Sequence, residues 1–380
     1  MNCPLLRFLC VSLNAVLLLS CKPVAVSRVA ALAGEQCAIM EECLTPQTMP
    51  RTFRGDSLVT SDLSWWCSGF YPGVCWYTYL LGGDPAMKER ALRQSDKLLD
   101  VEALNKEHDL GFQVMPSAGF AWKETGDSLY LKTIYAAAEK LALRFSPVSG
   151  VIKSWNWQEG WPVIIDNMMN LDLLTWASRL FNRPDWYEIA VTHARTTLAN
   201  HFRPDYSSYH LVNYNPVDGT VLRKQTVQGY ADDSSWARGQ GWGLYGFTMM
   251  YRETGLEEFL DQARGIASYL MPLLADRPVP AWDFCAPPES IGQDDASAAA
   301  VMASAFLELG SLTGDGTYRK QGVEILKALC GPKYLCRKGE CAGFLLRHST
   351  GNYKKGSEVD VPLTYADYYF MEALWRYGHE

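Results

Sequence analysis

Apolar residues three and four apart recur along nearly the whole chain, and that period places about twelve amphipathic helices between residues 27 and 377. The predicted segments are 27–44, 69–82, 85–105, 109–125, 127–145, 163–182, 184–203, 236–254, 256–275, 294–313, 315–330 and 362–377. Alternation with a period of two is sparse, and only Tyr209-His210-Leu211-Val212-Asn213-Tyr214 suggests a short hairpin. Several helices end in a short turn that starts the next: Gly83-Asp84-Pro85, Gly126-Asp127, Arg183-Pro184-Asp185, Gly255-Leu256 and Gly314-Asp315. Turns this tight make antiparallel neighbours, so the helices form six pairs.

The two members of a pair differ in pattern. First helices are apolar on all sides, as in Gly241 to Met250 and Ala296 to Leu307, whereas second helices carry a charged face, as in Lys88 to Asp100 and Glu257 to Arg264. An inner and an outer ring follow. The expected fold is therefore all-α, an (α/α)6 double-ring helical barrel forming a single domain over 27–380. The long non-helical stretches 146–162, 204–235, 276–293 and 331–361 should gather at one mouth, and they hold a large share of the His, Trp and Tyr.

Composition narrows the function. With 48% hydrophobic residues and a net charge of −7, the 380-residue chain can bury a large core and presents no nucleic-acid surface. Its 13 Trp and 20 Tyr suit sugar rings, although most single rings serve packing. Residues 1–20, with Arg7 and the apolar run Phe8 to Leu19, read as a signal peptide. Leu18-Leu19-Ser20-Cys21 resembles a bacterial lipoprotein signal, which would lipidate Cys21 and place the protein in the periplasm or on the outer membrane; plain secretion is the alternative. Export permits disulfides among the eight cysteines beyond the leader, but their pairing is not deducible. Lacking CxxC pairs and having scattered histidines, the chain implies neither a metal site nor an organic cofactor.

Two aspartates stand out. Asp109 precedes Leu110-Gly111-Phe112, where it can cap a helix and stay ionised at that helix's positive end. Asp166 follows Val163-Ile164-Ile165, and burial there should raise its pKa. An acid and a base with opposed environments would result, the plainer readings being an N-cap and a hydrogen-bonded core carboxyl. Arg238, among glycines and aromatics, could clasp a substrate carboxylate with both arms or pair with Asp232 or Asp233. Trp242, one turn on, could stack on a pyranose. His210 could polarise a water, titrating near neutrality, and the loop His348 to Lys355 combines donors that suit an anion.

Trp66-Cys67-Ser68-Gly69-Phe70-Tyr71-Pro72-Gly73, His108-Asp109-Leu110-Gly111-Phe112, Ile164-Ile165-Asp166-Asn167-Met168-Met169-Asn170, Trp236 to Trp242, Asp295 to Ala299 and Tyr365 to Phe370 together resemble the unsaturated glucuronyl hydrolases of glycoside hydrolase family 88. The resemblance implies a six-hairpin barrel that hydrates the C4=C5 double bond of an unsaturated uronic acid in an oligosaccharide and releases the neighbouring sugar. By motif, Asp166 is the proton donor and Asp109 its partner on the sugar hydroxyls, while Trp66, His210, Gln228, Arg238 and Trp242 line the site. Ser349 and Lys354 match a loop that contacts sulfate in some members, but Asn352 stands where a serine is expected, so a sulfate preference does not follow. An unsaturated rhamnogalacturonyl hydrolase and a non-catalytic glycan-binding lipoprotein are the alternatives. The latter needs no buried Asp166.

Overall fold

The computed structural model describes residues 24–379; the leader over 1–20 and Cys21 lie outside them. Within the described residues, thirteen α-helical segments follow in order: α1 Val26–Glu42, α2 Phe70–Gly82, α3 Pro85–Asp96, α4 Leu110–Val114, α5 Phe120–Thr125, α6 Ser128–Ala142, α7 Asn167–Phe181, α8 Pro184–His201, α9 Ala237–Thr254, α10 Glu257–Leu274, α11 Ala296–Thr313, α12 Gly316–Leu329 and α13 Thr364–His379. A π-helical turn, Met115–Gly119, joins α4 to α5 into one rod. Its second residue is Pro116, whose missing N–H cannot serve the α-helical ladder.

The fold is an (α/α)6 barrel. α2, α4–α5, α7, α9, α11 and α13 pack side by side into a closed inner ring, and α3, α6, α8, α10 and α12 return outside it. One device sets most returns: a glycine in the left-handed region ends the inner helix, and an aspartate then caps the outer one. Gly83, Gly126 and Gly314 have φ of 71°, 70° and 70°, while Asp84, Asp127 and Asp315 accept from Ala86, Leu129 and Thr317. The sixth outer helix is α1, from the other end of the chain; it packs on α2 and lies against α13. Tyr71 Oη donating to the Cys37 carbonyl and Gln36 donating to that of Phe344 pin it there.

Helix periodicity misplaces four boundaries. The helix expected over 85–105 stops at Asp96, and a 3-10 turn at Val101–Ala103 follows. The one expected over 163–182 starts only at Asn167, because Trp161–Ile164 is a strand, β5 in the sheet below. The rod over 109–125 is interrupted by the π turn, and α6 ends at Ala142 because Phe145–Ser146 pairs as a strand. Strands are also more numerous than expected. β1 Thr48–Arg54 pairs with β2 Ser57–Asp62, β3 Phe145–Ser146 with β4 Val151–Ile152, and β8 Ser349–Asn352 with β9 Ser357–Val361. The expected hairpin is real: β6 Leu211–Tyr214 lies between β5 Trp161–Ile164 and β7 Val221–Gln225.

Candidate active site

The N-termini of the inner helices open on one mouth, where the connecting strands form walls around a cavity of about 330 Å³. Asp109 and Asp166 immediately precede α4 and α7, Arg238 and Tyr365 lie in the first turns of α9 and α13, and Trp66 precedes α2. Helix dipoles thus turn their positive ends toward the cup, which favours an anionic ligand. Two contacts fix Asp109 relative to Asp166: Asn170 Oδ1 on α7 accepts from Phe112 N at 3.0 Å, and the helices approach so closely that a Cβ on Gly111 would sit 2.7 Å from the Asn170 Cα.

Asp166 keeps 14% of its side chain open to the cavity. Burial pushes its carboxyl up to about 7, against the opposing pulls of the Arg238 guanidinium and the Trp242 indole N–H. His210 Nε2 lies 3.8 Å from Asp166 Oδ2. His210 Nδ1 accepts from the backbone N–H groups of Val227 (3.0 Å) and Gln228 (3.2 Å), so the ring is the Nε2–H tautomer and aims a donor at the carboxyl. Asp166 Oδ2, His210 Nε2 and Trp242 Nε1 are all buried without another hydrogen-bond partner among the described residues. Dry donors thus face the atom that becomes negative when Asp166 loses its proton.

Several expectations need correction. The Asp109 side chain makes no cap hydrogen bond, and burial, with Asp166 and Glu107 nearby, raises its carboxyl well above the ordinary value instead of keeping it ionised. The two acids are therefore shifted in the same direction. Burial, reinforced by Arg238, drops His210 to about 3, so it does not titrate near neutrality. The Trp242 indole is wholly buried, edge-on to Tyr369 and tilted against Phe112, and offers no face to a sugar.

Arg238 is not a free fork. Its Nη1 donates to Asp295 Oδ2 at 2.9 Å and to the Thr350 carbonyl, and its Nη2 to Gln228 Oε1 at 3.1 Å and the Gly351 carbonyl. It pairs with Asp295, not with Asp232 or Asp233, and braces the β8–β9 hairpin as one wall of the cup. Since Oε1 of Gln228 is taken by Arg238, its amide NH2 is the end left for a ligand. Ser349 is fully buried behind the hairpin, and Lys354 lies outside the lining; Lys355 and Asn352 face the cavity instead. Trp66 does line the cup, its ring held by Phe70, Phe112 and Tyr365.

The Glycosyl Hydrolase Family 88 profile matches residues 43–276. An unsaturated glucuronyl hydrolase of Formosa agariphila is 41% identical over 317 residues, covering 82% of this chain and 79% of the relative. The chain belongs to glycoside hydrolase family 88. It is similar to the crystal structure of an unsaturated glucuronyl hydrolase specific for heparin (43% identity, TM-score 0.90, covering 93% of this chain and 96% of that one). It is also similar to a mutant of the Streptococcus agalactiae unsaturated glucuronyl hydrolase complexed with dGlcA-GalNAc6S (27% identity, TM-score 0.80, covering 94% and 92%).

This family 88 glycoside hydrolase lines its cup with further residues that periodicity passes over. Arg51, paired with Glu358 and lying 4.0 Å over the Trp65 ring, arrives on the β1–β2 hairpin. The two-residue turn Gly55-Asp56 is a readable signal for that hairpin. Trp155 and Trp157 stack 5.0 Å apart at the rim, on the Trp-bearing stretch 146–162 expected at the mouth.

Proposed function

We propose that the cup binds the non-reducing-end unsaturated uronic acid of an oligosaccharide and hydrates its C4=C5 bond, with Asp166 as the proton donor. The observation that carries this is one carboxyl at the cavity floor, held protonated to about pH 7 by burial and faced by the N–H groups of His210 and Trp242. Asp166 gives its proton to C4, and the positive charge at C5 is shared with the ring oxygen. Water adds at C5 and returns a proton to Asp166. The C5 hemiketal then opens at the C5–O5 bond, leaving a hemiacetal at C1 that expels the neighbouring sugar. The products are a 4-deoxy-5-keto uronate and the shortened saccharide. No bond at the anomeric carbon is displaced by an enzyme group, so the carboxyl-spacing rule for retaining and inverting enzymes does not apply.

His210 and Trp242 stabilise the Asp166 carboxylate between the two proton transfers, when they gain a charge to face. Trp66 and the free amide of Gln228 hold the sugar, and Asp109 meets its hydroxyls. Loss of the double bond's ultraviolet absorbance from an unsaturated chondroitin or heparin disaccharide tests the reading, and its pH dependence tests the donor. kcat/KM is expected to be flat below about 7 and to fall tenfold per pH unit above it, because only the protonated carboxyl acts. A rate that rises through pH 8 assigns the proton to another group.

Export is part of the same reading, with a lipid on Cys21. Cys21→Ser is expected to move the protein from the membrane fraction to the soluble one, measured by fractionation after labelling with a radioactive fatty acid. Unlabelled wild-type protein rules the lipid out.

A further inference from the structure

His108 precedes the motif aspartate and has no part in the chemistry above, yet it is buried against the site and only 1% exposed. Its Nδ1 lies 3.0 Å from the Ser154 carbonyl oxygen, which can only accept, so Nδ1 carries a proton. Its Nε2 lies 3.2 Å from Asp109 Oδ1. Nε2 is buried and has no hydrogen-bond partner among the described residues, so its lone pair lies unmet beside the carboxyl, and a proton on Asp109 Oδ1 is the donor within reach.

We propose that His108 stores that proton on Asp109, the pair being a neutral carboxylic acid and a neutral imidazole with Oδ1–H donating to Nε2. The surroundings disfavour the charged alternative: burial, and the charge of Arg144, whose Nη2 donates at 3.1 Å to the same Ser154 carbonyl, both oppose an imidazolium. On the acid's side, Glu107 and Asp166 both disfavour a further negative charge. His108 is a positioning residue: it turns the Asp109 proton away from the cavity.

This deepens the reading of Asp166 as the acid, and rests on it, through the charge of the cup. The cavity is lined by the cations Arg51, Arg238 and Lys355 and by the carboxyls of Glu107, Glu358, Asp109 and Asp166. Arg238 is neutralised by Asp295, so with both aspartates ionised the three cations face five carboxylates and the cup repels a uronate, whereas with both protonated the charges balance and that repulsion is gone. The stored proton on Asp109 therefore serves binding, and it adds no negative charge beside Asp166.

The test has two arms. In full-length protein labelled with 15N-histidine, the His108 ring, identified by the signal lost in His108→Asn, is expected to keep an unprotonated Nε2 and a protonated Nδ1 from pH 5 to 8. A doubly protonated ring or an Nε2–H tautomer overturns the proposal. This arm needs no turnover, so a protein inactive on unsaturated disaccharides would sink the substrate reading and leave the proton assignment standing. In the second arm, His108→Asn keeps a donor for Ser154 but removes the acceptor, and His108→Gln replaces it. Expected for Asn are a KM raised roughly tenfold and a basic limb of kcat/KM moved up by about one pH unit, as Asp109 ionises beside Asp166. Gln should reverse both. A loss of kcat with KM and the pH profile unmoved marks a merely structural histidine and overturns the proposal.

Discussion

Asp166→Asn is expected to lower kcat/KM on an unsaturated disaccharide by at least about two to four orders of magnitude while leaving the barrel folded. The amide keeps the volume and one acceptor but has no transferable proton. Stability gives an independent check. The wild-type carboxyl holds its proton in the folded state up to about 7, against an ordinary value of 3.8. Below the lower value both folded and unfolded chains are protonated; between the two, only the unfolded chain releases its proton, so the stability from this group is lost as pH rises. Asparagine does not titrate, so the melting temperature of the variant relative to wild type should increase from pH 4 to pH 8. A variant with near-normal turnover removes Asp166 from the chemistry, and a pH-independent difference in melting temperature removes the burial argument.

Arg238→Met should be the most destabilising single change in the cup. It leaves Asp295, fully buried, without its cation, and frees the Thr350 and Gly351 carbonyls that anchor the β8–β9 hairpin. Breaking a buried pair in this way costs about 3–5 kcal/mol. In a chain of this size, with an unfolding entropy of about 2.1 cal/mol/K per residue, that corresponds to a drop in melting temperature of roughly 4–6 °C by differential scanning calorimetry. The double variant Arg238→Met with Asp295→Asn removes the stranded charge and should recover part of the loss without recovering activity, since Gln228 no longer has its partner. If the single variant melts with the wild type and only KM rises, the guanidinium is a ligand clasp and not a brace.

The two cases show how much of the site can be read from residues. Asp166 is legible because a carboxyl embedded in Val163-Ile164-Ile165 and Met168-Met169 has few ways to reach water. Arg238 is legible as a site residue but not in its role, because the partners that brace it, Asp295 and the Thr350 and Gly351 carbonyls, lie 57 or more positions along the chain. Asp109 is misjudged for a related reason: local sequence shows the helix start, whereas its pKa is set by burial under the strands and by Asp166. Trp242 lies one turn beyond Arg238 and so reads as a platform for a pyranose, yet Phe112 and Tyr369 close over it from α4 and α13. Ser349 and Lys354 follow the same rule, since the bulged β8–β9 register decides which side chains of the hairpin face the cup.

The sequence by itself determined the barrel. Twelve amphipathic segments, apolar-all-round helices alternating with one-faced ones, and glycine–aspartate returns leave little choice of architecture, because each signal is satisfied within a few residues of itself. Tertiary structure alone decided the rest of the electrostatics: that Asp109 is pushed toward its protonated form along with Asp166, that His210 and His108 are neutral, and that Arg238 is spent on Asp295. Those properties depend on which distant groups exclude water and share a dry volume, and the strength of a charge in such a volume is not a property of its neighbours in the chain.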